Sequence, residues 1–367
     1  MFYIEEIKID QAAALLETCG LTLPCGVDYT AGVFNREGQL LATGSLNGDM
    51  IQGMAVSPDF QGEDLSARIL THLIGYARER GIRSLYLFTK AEKASQFTGL
   101  GFRLVVKARP YAALLEWGEE GVEQYMDNLS RISGGESGGT SSKEGTGALV
   151  MNCNPFTIGH RKLIEFAAEK KRRVFILCVE EDISLFAFAD RLEMLKRGTA
   201  DLENVTVIPG GRYVVSTLTF PSYFTKEEKI ADAHAAVDAE LFAKCVAPPL
   251  RVDERFLGTE PLSPVTRVYN ETLKVRLPKK GIAVTEIPRF TAGSQPISAS
   301  RVRGILKKIW EEKGTLSDLQ FCPEAAQIGE LLPDTTMKCL KNPELLNRLD
   351  LAFNRREGED ASNGKKQ

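Results

Sequence analysis

Two short stretches of the chain place hydroxyl, imidazole and guanidinium groups where they could bind phosphate. The first stretch follows an apolar run and consists of Asn154, Pro155, Phe156, Thr157, Ile158, Gly159 and His160. If a helix starts here, its unpaired N–H groups add to the Thr157 hydroxyl and the His160 imidazole N–H, and Gly159 has no Cβ to hold a nucleotide away. The stretch predicts a nucleotide-phosphate site. A helix N-cap at Thr157 beside a half-buried histidine would explain the same residues.

The second stretch consists of Pro296, Ile297, Ser298, Ala299, Ser300, Arg301, Val302 and Arg303. Ser298 and Ser300 can cap a helix and hydrogen-bond phosphate, while Arg301 and Arg303 can neutralise β- and γ-phosphate oxygens. Taken alone, this stretch is an ordinary N-cap before a basic amphipathic helix. Paired with the first stretch, it predicts a second phosphate clamp. Lys162 either contributes a weaker contact or faces solvent.

The elements that must position these residues alternate between strands and helices. Apolar runs predict strands at Ala148–Cys153, Val174–Val179, Val205–Ile208 and Ile282–Ile287. The helices predicted between and after them are Gly159–Lys170, Asp190–Arg197 and Ser298–Glu312. This alternation predicts a doubly wound parallel sheet, in which ligands bind at the carboxyl ends of the strands.

A length of 367 residues suggests two domains. Residues 129–146 are rich in Ser and Gly, and we expect them to form a flexible linker. The predicted organisation is a first α+β domain over 1–128, this linker, a catalytic α/β domain over 147–340 and a polar tail over 341–367.

Composition excludes several classes of protein. A net charge of −3 gives no basic field for nucleic acid. The seven cysteines form no CxxC pair or Cys/His cluster, so neither a metal site nor a disulfide framework is predicted. No apolar run approaches the ~20 residues of a spanning helix, and acids near the N-terminus argue against a signal peptide. We therefore expect a cytoplasmic protein that binds neither nucleic acid nor membrane.

The two stretches together resemble the nucleotidyltransferase superfamily's (T/H)xGH and ISSTxxR signatures. Thr157 to His160 read TIGH, and Ile297 to Arg303 read ISASRVR, with Ala299 and Ser300 replacing Ser and Thr. The resemblance implies that His160, Thr157 and Arg303 are catalytic. It implies ATP contacts from Asn154, Pro155, Phe156, Gly159, Lys162, Ser298, Ser300 and Arg301.

Longer strings resemble the citrate lyase ligases more specifically. They are RFLGTEP at 255–261, VTRVYN at 265–270 and MNCNPF at 151–156. This resemblance implies tentative substrate residues at Arg255, Glu260, Thr266 and Asn270. On local grounds, Thr266 and Asn270 share a helix face and could equally cap or face solvent.

The stretch from Val56 to Ser66 resembles the pyrophosphate loop of GNAT acetyltransferases. Gln61 and Gly62 fit that pattern, but Asp64 stands where a second glycine is expected. A carboxylate repels pyrophosphate, although Asp is also a common helix N-cap. The resemblance predicts the acetyltransferase fold without predicting acetyl-CoA binding.

Taken together, the resemblances imply acetylation of the CoA-derived prosthetic thiol on the citrate lyase acyl carrier subunit. Acetate and ATP would form acetyl-adenylate, Mg²⁺ is expected with the ATP, and AMP and pyrophosphate would be released. Two alternatives stay open at this point. One is an adenylyltransferase acting on a phosphate ester, and the other is a non-catalytic nucleotide-binding regulator.

Overall fold

The computed structural model describes residues 2–24, 26–134, 144–180, 184–214, 229–259, 263–292 and 295–363. Two structural units are present. The first unit comprises Met1–Arg131, Thr219–Pro249 and Glu271–Leu277. The second unit comprises Ile132–Leu218, Leu250–Asn270 and Pro278–Gln367. Residues 219–249 and 271–277, which the sequence places in the second domain, therefore group with the first unit.

The strands of the described ranges form one large sheet in each unit and a short hairpin. They are β1 Tyr3–Glu6, β2 Tyr29–Phe34, β3 Leu40–Asn47, β4 Met50–Val56, β5 Ser84–Lys90, β6 Arg103–Ala108, β7 Ala112–Gly118, β8 Thr146–Met151, β9 Arg173–Cys178, β10 Val205–Pro209, β11 Glu254–Gly258, β12 Ala283–Ile287, β13 Thr291–Ala292 and β14 Gln295–Pro296.

The α-helices of the described ranges cover the sheets and connect their strands. They are α1 Ala13–Thr18, α2 Leu65–Glu79, α3 Ala94–Thr98, α4 Val122–Gly134, α5 Ile158–Lys170, α6 Phe188–Gly198, α7 Ile230–Leu241, α8 Ala247–Leu250, α9 Pro264–Arg276, α10 Ala299–Lys313, α11 Glu324–Gly329, α12 Asp334–Cys339 and α13 Pro343–Asn363. None of these helices is long and apolar enough to cross a membrane.

The first unit contains a seven-stranded mixed sheet in the order β1-β2-β3-β4-β5-β7-β6. Its pairs are antiparallel except β4 with β5, which run parallel and pair through Met50 with Tyr86 and Ile51 with Leu87. Helix α2 packs on this sheet because Leu65, Ile69 and Leu73 recur on one face, where they are buried. The fold is the α+β arrangement expected for this part of the chain.

The second unit contains a five-stranded sheet in the order β10-β9-β8-β11-β12, and every pair in it is parallel. The central strands are buried on both faces, as their continuous apolar runs predict. The predicted doubly wound parallel sheet is therefore confirmed. The chain leaves β8 in one direction toward β10 and returns to place β11 on the other side of β8.

The C-terminal part of the second unit differs from the predicted tail over 341–367. Helix α13 spans Pro343–Asn363, and its Leu345, Leu346 and Leu349 are buried in the core of this unit. Because the end of the chain is rich in polar residues, the apolar face of this helix was not predicted from the sequence. The central part of the predicted linker, residues 135–143, lies outside the described residues, and α4 covers its start through Gly134.

Candidate active site

The second unit contains a cavity of about 480 Å³. It lies where the strand order of the parallel sheet changes direction, between the neighbouring strands β8 and β11. Its walls come from the carboxyl ends of β8, β11 and β12 and from the starts of α5 and α10. Ligands of open parallel sheets bind at such a switch point. The predicted site residues that line the cavity are Thr157, Gly159, His160, Thr266, Asn270, Ser298 and Ser300.

Helix α5 begins at Thr157, whose extended backbone and side chain form a cap. The His160 N–H donates to Thr157 Oγ1 at 3.3 Å, and the Thr157 N–H donates to His160 Nδ1 at 3.1 Å. This reciprocal pair is a capping box in which histidine takes the place of the usual Glu or Gln. The N-cap predicted at Thr157 is present, and the same bonds hold the imidazole at the cavity.

The imidazole of His160 is a neutral donor. Burial and, to a smaller extent, the positive charge of Arg289 together lower the pKa of His160 from 6.5 to about 4. Because Nδ1 accepts the Thr157 N–H, the proton of the neutral ring is on Nε2. At neutral pH His160 can therefore donate an Nε2–H hydrogen bond to an oxygen of a ligand.

The backbone N–H groups at the start of α5 are not equally available to a ligand. The Ile158 N–H donates to Leu331 O at 2.9 Å, and the His160 N–H donates to Thr157 Oγ1. Within the described part of the chain, the Gly159 N–H is the first-turn amide of α5 that has no protein acceptor. Gly159 lines the cavity, so its N–H adds a second donor beside His160 Nε2.

Helix α10 begins at Ser298, whose Oγ accepts the Arg301 N–H at 3.1 Å. Arg303 then joins the two predicted stretches, because its Nη1 donates to Asn154 O at 2.5 Å and its Nη2 donates to Ser300 Oγ at 3.0 Å. Arg301 and Arg303 are not among the residues that line the cavity. The contacts of Arg303 therefore position the α10 start against the turn after β8.

Three residues predicted to contact ATP have structural contacts instead of lining the cavity. Asn154 Oδ1 accepts the Phe186 N–H at 3.1 Å. Pro155 and Phe156 are buried, and the Phe156 ring stacks on the His160 ring with centroids 6.0 Å apart. A Cβ added at Gly198 would come within 2.3 Å of Phe156, so Gly198 makes room for that ring. The stacking contact with Phe156 thus helps to orient the His160 ring.

Lys162, the weakest of the predicted phosphate contacts, is exposed on α5. Its Nζ lies 5.3 Å from the centroid of the Phe290 ring, and Phe290 lines the cavity. This cation–π contact holds the ammonium at the rim.

The tentative substrate residues fall into three groups. Thr266 and Asn270 line the cavity from α9, and Asn270 Nδ2 donates to Gly258 O at 3.0 Å and to Glu286 Oε1 at 2.8 Å. Arg255 is buried outside the lining and donates through Nη2 to Tyr269 Oη at 2.7 Å. Glu260 lies outside the described residues.

Sequence reasoning missed two arginines at this site. Arg289 lines the cavity just beyond the carboxyl end of β12. Arg191 is fully buried and braces the turn after β8, with Nη1 donating to Asn152 O at 2.9 Å and to Val179 O at 2.9 Å. The position of Arg289 directly after a parallel strand is the signal that could have found it.

The donor set of the site is poor in carboxylates. Within the described ranges, no three His, Cys, Asp or Glu side chains come together to hold a metal ion. None of the described residues that line the cavity is an Asp or Glu. Mg²⁺ keeps water and phosphate ligands readily, so these residues suit an ion that enters on the nucleotide.

The first unit has a cavity of its own, of about 570 Å³, lined in part by the loop that resembles the acetyltransferase pyrophosphate loop. Asp64 occupies the N-cap position of α2 in a left-handed conformation (φ 52°), and its side chain makes no capping hydrogen bond. Lys90 and Lys93 line another part of the same cavity.

Comparison with protein families gives two matches. Residues 146–339 match the model of the citrate lyase ligase C-terminal domain, which covers more than half of the chain. Residues 28–102 match the acetyltransferase (GNAT) family. The second match agrees with the mixed sheet of the first unit.

Three curated relatives are similar along most of their length, and each is named citrate (pro-3S)-lyase ligase. The protein from Klebsiella pneumoniae is 37% identical over 78% of this chain and 85% of its own length. The protein from Haemophilus influenzae is 32% identical over 92% of this chain and 96% of its own length. The protein from Escherichia coli is 34% identical over 89% of each chain.

Solved structures of acetyltransferases are also similar to part of the chain. N-acetylglutamate synthase from Neisseria gonorrhoeae is 22% identical over 33% of this chain and 36% of its own, with a TM-score of 0.28. Glucosamine-6-phosphate N-acetyltransferase from Arabidopsis thaliana is 18% identical over 28% of this chain and 92% of its own, with a TM-score of 0.24. The family model that matches residues 146–339 agrees with the three curated relatives, and from these matches we conclude that the chain belongs to the citrate lyase ligase family.

Proposed function

We propose that this chain uses ATP to acetylate the prosthetic-group thiol of the citrate lyase acyl carrier subunit. The chain is an enzyme of the ligase class, as its family membership establishes. The observation that carries the proposal for the site is that α5 and α10 both begin at one cavity, where His160 is held as a neutral N–H donor. Such donors suit the oxygens of a triphosphate.

The first step joins acetate to AMP. An acetate oxygen attacks the α-phosphorus of ATP, the bond from that phosphorus to the bridging oxygen breaks, and pyrophosphate leaves with the electron pair. Acetyl-adenylate remains in the cavity. No protein nucleophile is needed, so catalysis comes from aligning the two reactants and stabilising the charge that develops on pyrophosphate.

We assign His160 and the Gly159 N–H to oxygens of the triphosphate. The low pKa of His160 suits a hydrogen-bond donor rather than a general acid, because the ring stays neutral through the physiological range. Thr157 orients the ring through Nδ1. The α10 start contributes Ser298 and Ser300, which line the same cavity. Arg303 keeps the two helix starts together.

The second step transfers the acetyl group. The thiolate of the carrier's prosthetic group attacks the acetyl carbonyl carbon, the bond between that carbon and the phosphate oxygen breaks, and AMP leaves. Mg²⁺ arrives as part of the MgATP substrate, where it offsets phosphate charge. Thr266 and Asn270 border the same cavity and are the tentative contacts for the remaining part of the substrates.

The first step can be tested by exchange of labelled pyrophosphate into ATP. We expect exchange that depends on acetate and disappears in His160→Ala. A suitable control is Lys308→Gln, because the Lys308 side chain is 65% exposed on α10 and forms an ion pair with Glu312. Exchange that proceeds without acetate but requires a phosphorylated acceptor would instead indicate an adenylyltransferase. ATP binding without any exchange would indicate a nucleotide-binding regulator.

A further inference from the structure

The cavity of the second unit must balance the charge of a bound triphosphate. A buried anion needs cationic or strongly polar partners, since an uncompensated charge in a low-dielectric site is costly. Among the described residues that line the cavity, Arg289 is the one arginine or lysine. The arginines that the sequence predicted for this role, Arg301 and Arg303, are absent from the lining. The arginine that lines the cavity therefore comes from a different element, while the Lys162 ammonium lies at the rim.

The backbone of Arg289 is fixed at the carboxyl end of β12. The Arg289 N–H donates to Thr259 Oγ1 at 2.9 Å, and the Thr259 N–H donates to Ile287 O at 2.9 Å. These bonds extend the pairing of β11 with β12, where Gly258 faces Ile287. Thr259 also lines the cavity. A rigid strand end thus presents the half-buried Arg289 side chain at the switch point of the sheet.

Arg289 and His160 act on the same region. Both residues line the same cavity, and the positive charge of Arg289 contributes to the low pKa of His160. His160 lies at the start of α5, after β8, and Arg289 follows β12. Two donors that reach one cavity from different strand ends can bind neighbouring oxygens of one polyphosphate. A planar guanidinium suits two such oxygens at once.

We propose that Arg289 is a further catalytic residue, which binds the triphosphate of ATP together with His160 and stabilises pyrophosphate as it leaves. In this step the bond from the α-phosphorus to the bridging oxygen breaks and its electron pair moves to pyrophosphate, whose growing charge Arg289 offsets. No proton is transferred to or from the arginine. The assignment of ATP as the ligand depends on the proposed function, whereas the preference for a polyphosphate follows from the cavity itself.

The test compares Arg289→Gln and Arg289→Lys with a matched control, all in the full chain. Arg197→Gln is that control, because Arg197 is a 59% exposed arginine of the same unit and pairs with Glu193 at 2.6 Å. Calorimetry measures the binding of ATP and of adenosine. We expect Arg289→Gln to weaken ATP binding about 10- to 100-fold, the range for losing a charged hydrogen-bond partner, and to leave adenosine binding unchanged. Arg289→Lys should recover part of the loss.

A second readout separates ligand binding from a structural role. The chain has three histidines, so the imidazole signal of His160 can be followed by NMR as pH is changed. In Arg289→Gln the pKa of His160 should rise but stay below 6.5, because burial is the larger cause of its shift. ATP binding equal to that of the unsubstituted chain, or an equal loss of ATP and adenosine binding, would overturn the assignment. These binding measurements need no acetate. Their result therefore does not depend on whether the proposed acetylation takes place.

Discussion

Each unit has a cavity at which a helix begins, and the two helix starts differ in a way that bears on phosphate. At α5, Thr157 has an extended backbone and caps the helix with its side chain, while His160 completes the box. At α2, Asp64 has φ 52° and its side chain caps nothing. A helix start alone therefore does not make a phosphate site, because the groups around the first turn decide which charge it accepts.

The charges around the two helix starts differ as well. His160 and Arg289 line the cavity of the second unit, together with the hydroxyl-bearing start of α10. In the first unit, Asp64 lies at the start of α2 and lines the other cavity, and Lys90 and Lys93 line another part of it. A carboxylate there is compatible with the helix dipole and repels a pyrophosphate. Under the proposed function we therefore expect ATP to bind in the second unit. The first unit departs from the acetyltransferase pattern at Asp64.

The largest effect should come from removing the imidazole donor. We expect His160→Ala to lower the rate of acetate-dependent pyrophosphate exchange by about 100-fold or more, the usual loss for one preorganised donor to a developing charge. The matched control is His72→Ala, since His72 is a half-buried histidine of the first unit that bonds the Tyr29 hydroxyl. An equal loss of exchange rate in both variants would contradict the proposal that the two cavities have different roles.

A smaller effect is expected from the cap that orients the imidazole. Thr157→Ala should lower the free energy of unfolding by about 1 kcal/mol, because it removes the Oγ1 that accepts the His160 N–H. It should also lower the exchange rate, because the same Oγ1 lies 3.0 Å from His160 Nδ1 and helps to orient the ring. Thr157→Ser should recover both properties, because serine supplies the same oxygen. Urea unfolding and exchange kinetics measure the two effects. Loss of stability without loss of exchange would limit Thr157 to a structural role.

The pH dependence of stability should report the buried state of His160. Its pKa is lowered to about 4, so between pH 6.5 and about 4 the unfolded chain takes up a proton that the folded chain does not. The stability of the unsubstituted chain should therefore fall as pH is lowered through this window. His160→Gln lacks this contribution and should lose less stability over the same range. Parallel unfolding curves for both proteins would contradict a depressed pKa.

The smallest effect should come from Asp64. Its side chain makes no capping bond, and glycine adopts a left-handed φ without a steric penalty. Asp64→Gly should therefore change the free energy of unfolding by less than about 1 kcal/mol, because the gain in backbone freedom of the unfolded chain offsets the relief. A loss comparable to that of Thr157→Ala would mean that both helix starts depend on their first side chain.

The sequence predicted most of what has a local cause. The apolar strands of the second unit, the cap at Thr157 and the cap at Ser298 follow from patterns within a few residues. Gly314 ends α10 in a left-handed conformation, which glycine adopts readily at the end of a helix. These features are set by neighbouring residues, so a single sequence contains enough information to find them.

The parts that sequence reasoning missed depend on distant contacts. Phe156 is buried because Gly198, on another helix, leaves room for its ring. Arg289 faces the cavity because Thr259, at the end of a neighbouring strand, fixes its backbone. Arg303 is directed to Asn154 O instead of the cavity lining. Register and packing between separate elements decide all three, and only Arg289, directly after a parallel strand, has a position in the sequence that points to the cavity.

The most direct test is the intact mass of the citrate lyase acyl carrier subunit after incubation with this chain, ATP and acetate. The account predicts that the subunit gains one acetyl group on its prosthetic thiol, only when ATP and acetate are both present. The gain should be lost with His160→Ala and kept with His72→Ala. A subunit of unchanged mass, or one that carries an adenylyl group instead, would contradict the account.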